Sequence, residues 1–295
     1  MAILKYRKYY YIFSGILTVF GVGGLLLWGL NFGIDFTGGS LLEVEFKESR
    51  PANDEIQDSL KELDLGEIIL QQTGERGLIL RLREIDEPTH QAILEKLGQD
   101  NVESKRFDSV GPAIGKELQQ KAQQALMFVL AAILIYIAWA FRRVAKPVSS
   151  VRYGIIAIIT LFHDVLITVG IFSIIAHFFN LEVGLPFVAA ILTVLGYSVN
   201  DTIVIFDRTR ENLTRHGGDF EEVVEKSLKE TIVRSLNISF AAFLVLPAIY
   251  VFGGETIRYF ILTLIIGIAI GTYSSIFIAS PMLVSLHRKK FFFGI

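Results

Sequence analysis

The chain has 295 residues, of which 52% are hydrophobic, 23 are phenylalanine and none is cysteine. With a mean hydropathy of +0.50, it is too apolar for an ordinary soluble domain and belongs in a membrane. A formal net charge of -2 gives no electrostatic case for nucleic acid as a partner. Without cysteine, disulfides, thiolate chemistry and Cys-based metal sites are excluded.

A membrane span needs roughly 20 mostly apolar residues. Six stretches qualify, at about 10–30, 123–141, 154–176, 185–206, 235–252 and 259–283. The first follows Lys5, Arg7 and Lys8, but it is too long for a secretory signal and lacks a small-residue cleavage site, so it reads as a retained anchor. With six crossings, those three residues, then Arg142, Arg143, Lys146 and Arg152, then Arg288, Lys289 and Lys290 fall on one side. Basic short loops mark the cytoplasm. Both termini are therefore expected there, with residues 31–120 outside, residues 1–30 as the N-terminus and first span, and residues 121–295 as the remaining five.

The external segment has its own periodicity. Leu42, Val44 and Phe46 alternate as a strand, and "NDEIQDSLKEL" predicts a helix capped by Asn53 with Ile56, Leu60 and Leu63 on one face. Two further strands, "EIILQQT" and "LILRLREI", flank a turn between Gly74 and Gly77. "PTHQAILEKLG" predicts a second helix stopped at Gly98, and a last strand lies near Val102 to Val110. The order β-α-β-β-α-β predicts a small ferredoxin-like α+β domain. His90 is its single histidine, and its carboxylates scatter over solvated faces, so no catalytic constellation is expected.

A second aqueous stretch, about 207–234, carries Val223, Val224, Leu228 and Ile232 at the spacing of a weakly amphipathic cytoplasmic helix. The informative residues are the ionisable ones inside apolar runs. His163 and Asp164 lie near the centre of the third span, Asp201 near the cytoplasmic end of the fourth, and Arg234 opens the fifth. Charged groups in spans face the bundle interior, pair with one another, and mark ion or proton paths; a polar clamp between helices is the alternative, open for Asp164 and His163. Helical spacing puts Tyr197, Asp201 and Arg208 on one stripe and Thr193, Gly196, Asn200 and Asp207 on the next. A carboxylate at Asp201 needs a cation or donor close by, and Arg234 and Asn237 begin the fifth span at the same depth.

Gly267 and Gly271 have the spacing of close helix contact. "GIDFTGGS" can cradle an anion through its backbone, but no Gly-Lys-Ser/Thr follows, so a tight exit turn fits better. Neither a nucleophile elbow nor a His-Glu-x-x-His pair is present, which argues against an enzyme and against any resident cofactor or metal.

"GIDFTGG", "SVGPAIGKEL", "HDV", "GYSVNDTIVIFDRTREN" and "RSLN", spread over nearly the whole chain, resemble the SecF branch of the SecD/SecF family of bacterial protein-export membrane proteins, in the RND superfamily. The resemblance implies a six-helix half of an RND-type bundle in the bacterial inner membrane. Its partners would be SecD, the SecYEG translocon, the translocating preprotein and membrane lipid, with YajC and YidC as further candidates. Proton flow would drive late steps of export, and ATP would be used by another component. The family's proton-pathway aspartate falls on Asp201 and its fifth-span arginine on Arg234, flanked by Asn200 and Asn237; His163 and Asp164 match its "HD" motif. One departure is "ISFAA", Ile238 to Ala242, where relatives carry more hydroxyls, so conduction along that helix is expected to rely on water or SecD. The alternative, half of a proton-driven RND-type small-molecule exporter, is disfavoured by an external domain too small for a drug-binding vestibule.

Overall fold

A computed structural model describes residues 3–140 and 150–293. The basic residues Arg142, Arg143 and Lys146 lie outside the described residues. The chain separates into two compact units, one of residues 1–31 and 125–295 and the other of residues 32–124.

In the smaller unit, α2 (Ile34–Thr37) leads into β1 (Gly39–Phe46), followed by α3 (Asn53–Leu60), β2 (Ile69–Thr73), β3 (Gly77–Leu82), α4 (Glu87–Lys96) and β4 (Val102–Val110). The strands form one antiparallel sheet in the order β2-β3-β1-β4, the split βαβ arrangement that the periodicity predicts. Leu42 and Val44 of β1 lie opposite Leu80 and Leu78 of β3, and with Phe46, Ile56, Leu60 and Ile93 they form a buried core. Each such side chain contributes about 1.5–3 kcal/mol when withdrawn from water. Asn53 is not a cap: Ala52 occupies that place, and the Asn53 side chain accepts from Gln72 Nε2 at 3.2 Å. The second helix does carry a side-chain cap, because Asp86 accepts from the Thr89 hydroxyl and, at 3.1 Å, from its backbone N–H. Those two bonds hold the Asp86 carboxyl below the usual carboxylate range.

The glycine pair of "DFTGG" turns the chain from α2 into β1. Gly38 and Gly39 have φ of +76° and +122°, a region that L side chains rarely adopt. Space excludes side chains as well, since a Cβ on Gly38 would come 2.8 Å from Pro112 Cα and one on Gly39 2.7 Å from Leu82 O. Pro112 opens α5 (Pro112–Ala140), so the pair is a tight turn on which the start of that helix rests.

The larger unit holds α1 (Arg7–Trp28), the distal part of α5, α6 (Ser150–Phe179), α7 (Leu185–His216), α8 (Phe220–Phe252), α9 (Glu255–Ser274), a π-helical segment (Ser275–Ala279) and α10 (Ser280–Phe293). Among the described residues, six helical stretches are long and apolar enough to cross a membrane. α6, α7 and α9 are the inner helices, whereas α1, α5 and α8 present most of their apolar surface outward. Gly267 and Gly271 of α9 pack against Val194 and Ser198 of α7, the close backbone approach that small residues allow in membranes.

The stretch 207–234 is not a separate surface helix. α7 and α8 run straight through it and meet at a short turn, where Gly217 and Gly218 have φ of +60° and +102°. A helix need not stop where its sequence turns polar if the polar turns find partners. Here Asn212 donates to Ser227 and Glu230 at 2.9 Å, and Arg208 bonds Glu230 at 2.5 Å. The same part of α8 holds the chain's beginning: Glu225 accepts from the N–H groups of Ile3 and Leu4 at 2.8 and 2.9 Å, and Glu221 pairs with Arg7 at 2.9 Å. These bonds satisfy N–H groups that a helix start otherwise leaves open.

Candidate functional site

The stripe Tyr197, Asp201 and Arg208 faces α8 along its length. The Tyr197 hydroxyl lies 2.7 Å from Ser239 Oγ, Ser235 Oγ donates to Asp201 Oδ1, and Arg208 reaches Glu230. Partner numbers fall along α8 as they rise along α7, the register of an antiparallel helix pair. The neighbouring stripe of Thr193, Gly196, Asn200 and Asp207 is exposed.

Asp201 is buried, at 7% exposure. Its Oδ1 takes the Ser235 hydrogen bond, while its Oδ2 is enclosed and has no hydrogen-bond partner among the described residues. Arg234, next to Ser235, is close enough for its charge to act on the Asp201 carboxylate. Arg234 and Asn237 are nevertheless exposed, and neither bonds Asp201 among the described residues. The direct contact comes from Ser235, which sequence reasoning passed over. A single serine in an apolar helix carries no cost that would draw notice, since its hydroxyl can bond the preceding turn.

Asp164 is different. It is fully buried and accepts three bonds: His163 Nδ1 at 2.8 Å, Ser198 Oγ at 2.5 Å and Ser274 Oγ at 2.7 Å. His163 Nε2 in turn meets Ser14 Oγ. This network ties α1, α6, α7 and α9 together at one level, and both carboxylate oxygens are used. Such a network joins four helices through one buried carboxylate.

The end of α9 meets α7 beside both carboxylates. Ser274 bonds Asp164, while Ser275 bonds Thr202, the residue after Asp201, at 2.9 Å and the Ser198 carbonyl at 3.4 Å. The π-helical segment begins at Ser275, and such segments are frequent at functional sites. Ser239 adds a bond to Thr272 at 2.6 Å, so hydroxyls absent from "ISFAA" are supplied by Tyr197 of α7 and Thr272 of α9. A groove of about 570 Å³ between α8 and α9, lined by Asn237, Ser239, Phe240, Thr272 and Tyr273 among others, opens beside them. Among the described residues no cluster of three His, Asp or Glu has the geometry to hold a metal.

A buried carboxylate with one open oxygen, set between two spans, is suited to gaining and losing a proton rather than to bond cleavage. Comparison with known proteins shows the family. The description "Protein export membrane protein SecD/SecF, C-terminal" matches residues 89–289, and the SecD/SecF GG motif matches residues 29–49. The chain belongs to the SecD/SecF family. It is 43% identical to the protein translocase subunit SecF of Thermobaculum terrenum, over 98% of this chain and 95% of that protein. With the SecF subunit of Sebaldella termitidis it shares 40% identity over 98% and 93%. The crystal structure of SecDF from Thermus thermophilus, described as a translocon-associated membrane protein, superposes with a TM-score of 0.82 at 30% identity. A structure of SecDF in a super-membrane-facing form gives 0.68. This chain spans 39% of the length of that SecDF chain. The SecF-type chain is thus a multi-pass accessory subunit of Sec protein export, and its glycine-pair turn is the family's GG motif.

Proposed function

We propose that this SecF-type subunit pairs with SecD and uses inward proton movement through the pair to promote late steps of preprotein export at SecYEG. The chain would sit in the bacterial inner membrane with both termini cytoplasmic and residues 31–120 outside, as its basic short loops favour. Asp201 is the proton carrier and Arg234 its counter-charge; Asn200 and Asn237 belong to the same pathway, and His163 with Asp164 clamps the helices around it.

The observation that carries this reading is Asp201 itself, buried between α7 and α8 with Oδ1 on Ser235 and Oδ2 unpartnered among the described residues. Near Arg234 the carboxylate is favoured; away from it, in a dry surround, the neutral acid is favoured. Each proton crossing the membrane releases about 2.3 kcal/mol per 100 mV, comparable with the few kcal/mol that separate two conformations of a bistable bundle. Pairing with SecD is supported by the exposed polar groups Asn200, Arg234 and Asn237. Facing lipid they would be costly, whereas a second helical half would cover and satisfy them.

The test is preprotein translocation into inverted vesicles with and without an uncoupler. Asp201→Asn should insert normally, bind SecD, keep the ATP-driven component and lose the uncoupler-sensitive one, and Arg234→Met should behave alike. An Asp201→Asn chain that retains the full uncoupler-sensitive component makes Asp201 a structural clamp only.

A further inference from the structure

We propose that Ser235 is the positioning residue through which helix α8 senses the charge on Asp201; this inference rests on the proton-carrying reading of Asp201 above. Ser235 is buried, at 1% exposure, and its single hydroxyl hydrogen goes to Asp201 Oδ1. A hydroxyl that donates to an ionised carboxylate makes a bond roughly twice as strong as one to a neutral acceptor. Oδ2 is the open oxygen and therefore the place where a proton arrives. When it does, Oδ1 becomes a carbonyl-type acceptor and the Ser235 bond drops to neutral strength. The contact between α7 and α8 is thus strong when Asp201 is charged and weak when it is not.

The rest of α8 is built so that this difference is felt. Its buried residues are Phe220, Val223, Val224, Ser227, Leu228, Thr231, Ser235 and Ser239, and none of those described lies beyond Ser239. The helix is most deeply buried along its first half; beyond Ser239 it lays Ala242, Phe243, Leu246, Ile249 and Tyr250, half-buried, against Ala190 and Val194 of α7 and Ile261, Leu264 and Ile268 of α9. Ser235 sits near the boundary, beside Ser239, whose bonds to Tyr197 and Thr272 join neutral hydroxyls and do not sense charge. Apart from Ser235, Arg234 of α8 acts on Asp201 by its charge, Ser275 after α9 bonds the adjacent Thr202, and the His163–Asp164 pair of α6 meets α7 at Ser198. Of these only Ser235 bonds the Asp201 carboxylate directly and spans the two helices. Protonation of Asp201 therefore loosens the hold of α7 on α8 at Ser235, one turn before the Ser239–Thr272 contact with α9.

The experiment uses the complete chain with its SecD partner in membrane vesicles. Because the chain has no cysteine, the pair Ser239→Cys and Thr272→Cys, whose hydroxyls are 2.6 Å apart, reports α8 against α9 by oxidative cross-linking at acidic and alkaline pH. Asp201→Asn in the same background carries only the intrinsic pH dependence of thiol chemistry. Ser235→Ala should fall to that level and lose the uncoupler-sensitive component of translocation; Ser235→Thr, which restores a hydroxyl, should recover both. If Ser235→Ala keeps the pH response of the parent pair, or its full uncoupler-sensitive translocation, while Asp201→Asn loses both, the Ser235 proposal is overturned and the Asp201 reading stands. If Asp201→Asn also keeps them, the proton-carrying reading itself fails.

Discussion

Replacing Asp164 by alanine removes the acceptor shared by three donors, stranding His163 and Ser198 while Ser274 falls back on the Gly271 carbonyl at 3.1 Å. A buried donor without a partner costs about 1–3 kcal/mol in soluble proteins. Interhelical hydrogen bonds in membranes average nearer 0.6 kcal/mol, because the dissociated helices also find partners. Two stranded donors and one weakened one give about 2 kcal/mol, or roughly a thirtyfold loss in the folded-to-unfolded ratio. Asp201→Ala strands one donor, Ser235, and should cost only about 1 kcal/mol. The assay is the thermal midpoint of the detergent-solubilised complex with SecD, followed by the loss of its size-exclusion peak after heating. Asp164→Ala should show a larger drop than Asp201→Ala. Equal midpoints for the two variants would refute the assignment of Asp164 as clamp and Asp201 as working group.

Three other outcomes are expected. Glu225→Ala removes the acceptor for the Ile3 and Leu4 N–H groups and should cost about 1–2 kcal/mol, as loss of a helix cap does, read as a lower midpoint in the same assay. Gly267→Val places a branched side chain where Val194 already packs; overpacking of that kind costs about 1–3 kcal/mol, and the yield of folded complex should fall while Gly196→Ala, at an open position, leaves it unchanged. Gln57→Cys, exposed on α3, should react with a membrane-impermeant maleimide in intact spheroplasts, and protection until lysis would reverse the topology.

The sequence made some of this legible because certain residues carry a cost that only structure can repay. An aspartate in an apolar run, as at Asp201, is conspicuous since desolvation penalises it. Period-two alternation at Leu42, Val44 and Phe46 and the stop at Gly98 lay out the small sheet. What stayed hidden has no such local cost. Ser235, Ser198, Ser274 and Ser14 are ordinary small residues until the helices pack, and the choice of Ser235 over Arg234 and Asn237 as the direct Asp201 contact depends on the rotation of α8. The continuous α7 and α8 were obscured because hydropathy marks where a membrane ends, and a helix can go on beyond it. Asn53 failed as a cap for a related reason: the helix starts one residue earlier in register than its preferred capping residue suggests.

The central claim is that a proton travels by way of Asp201. It is tested most directly by proton flux into vesicles that contain the complex of this chain with SecD, using a trapped pH-sensitive dye and an imposed membrane potential. The account predicts a potential-driven flux in the parent complex that disappears in Asp201→Asn, with equal amounts of intact complex in both preparations. A flux through Asp201→Asn equal to that of the parent would contradict it.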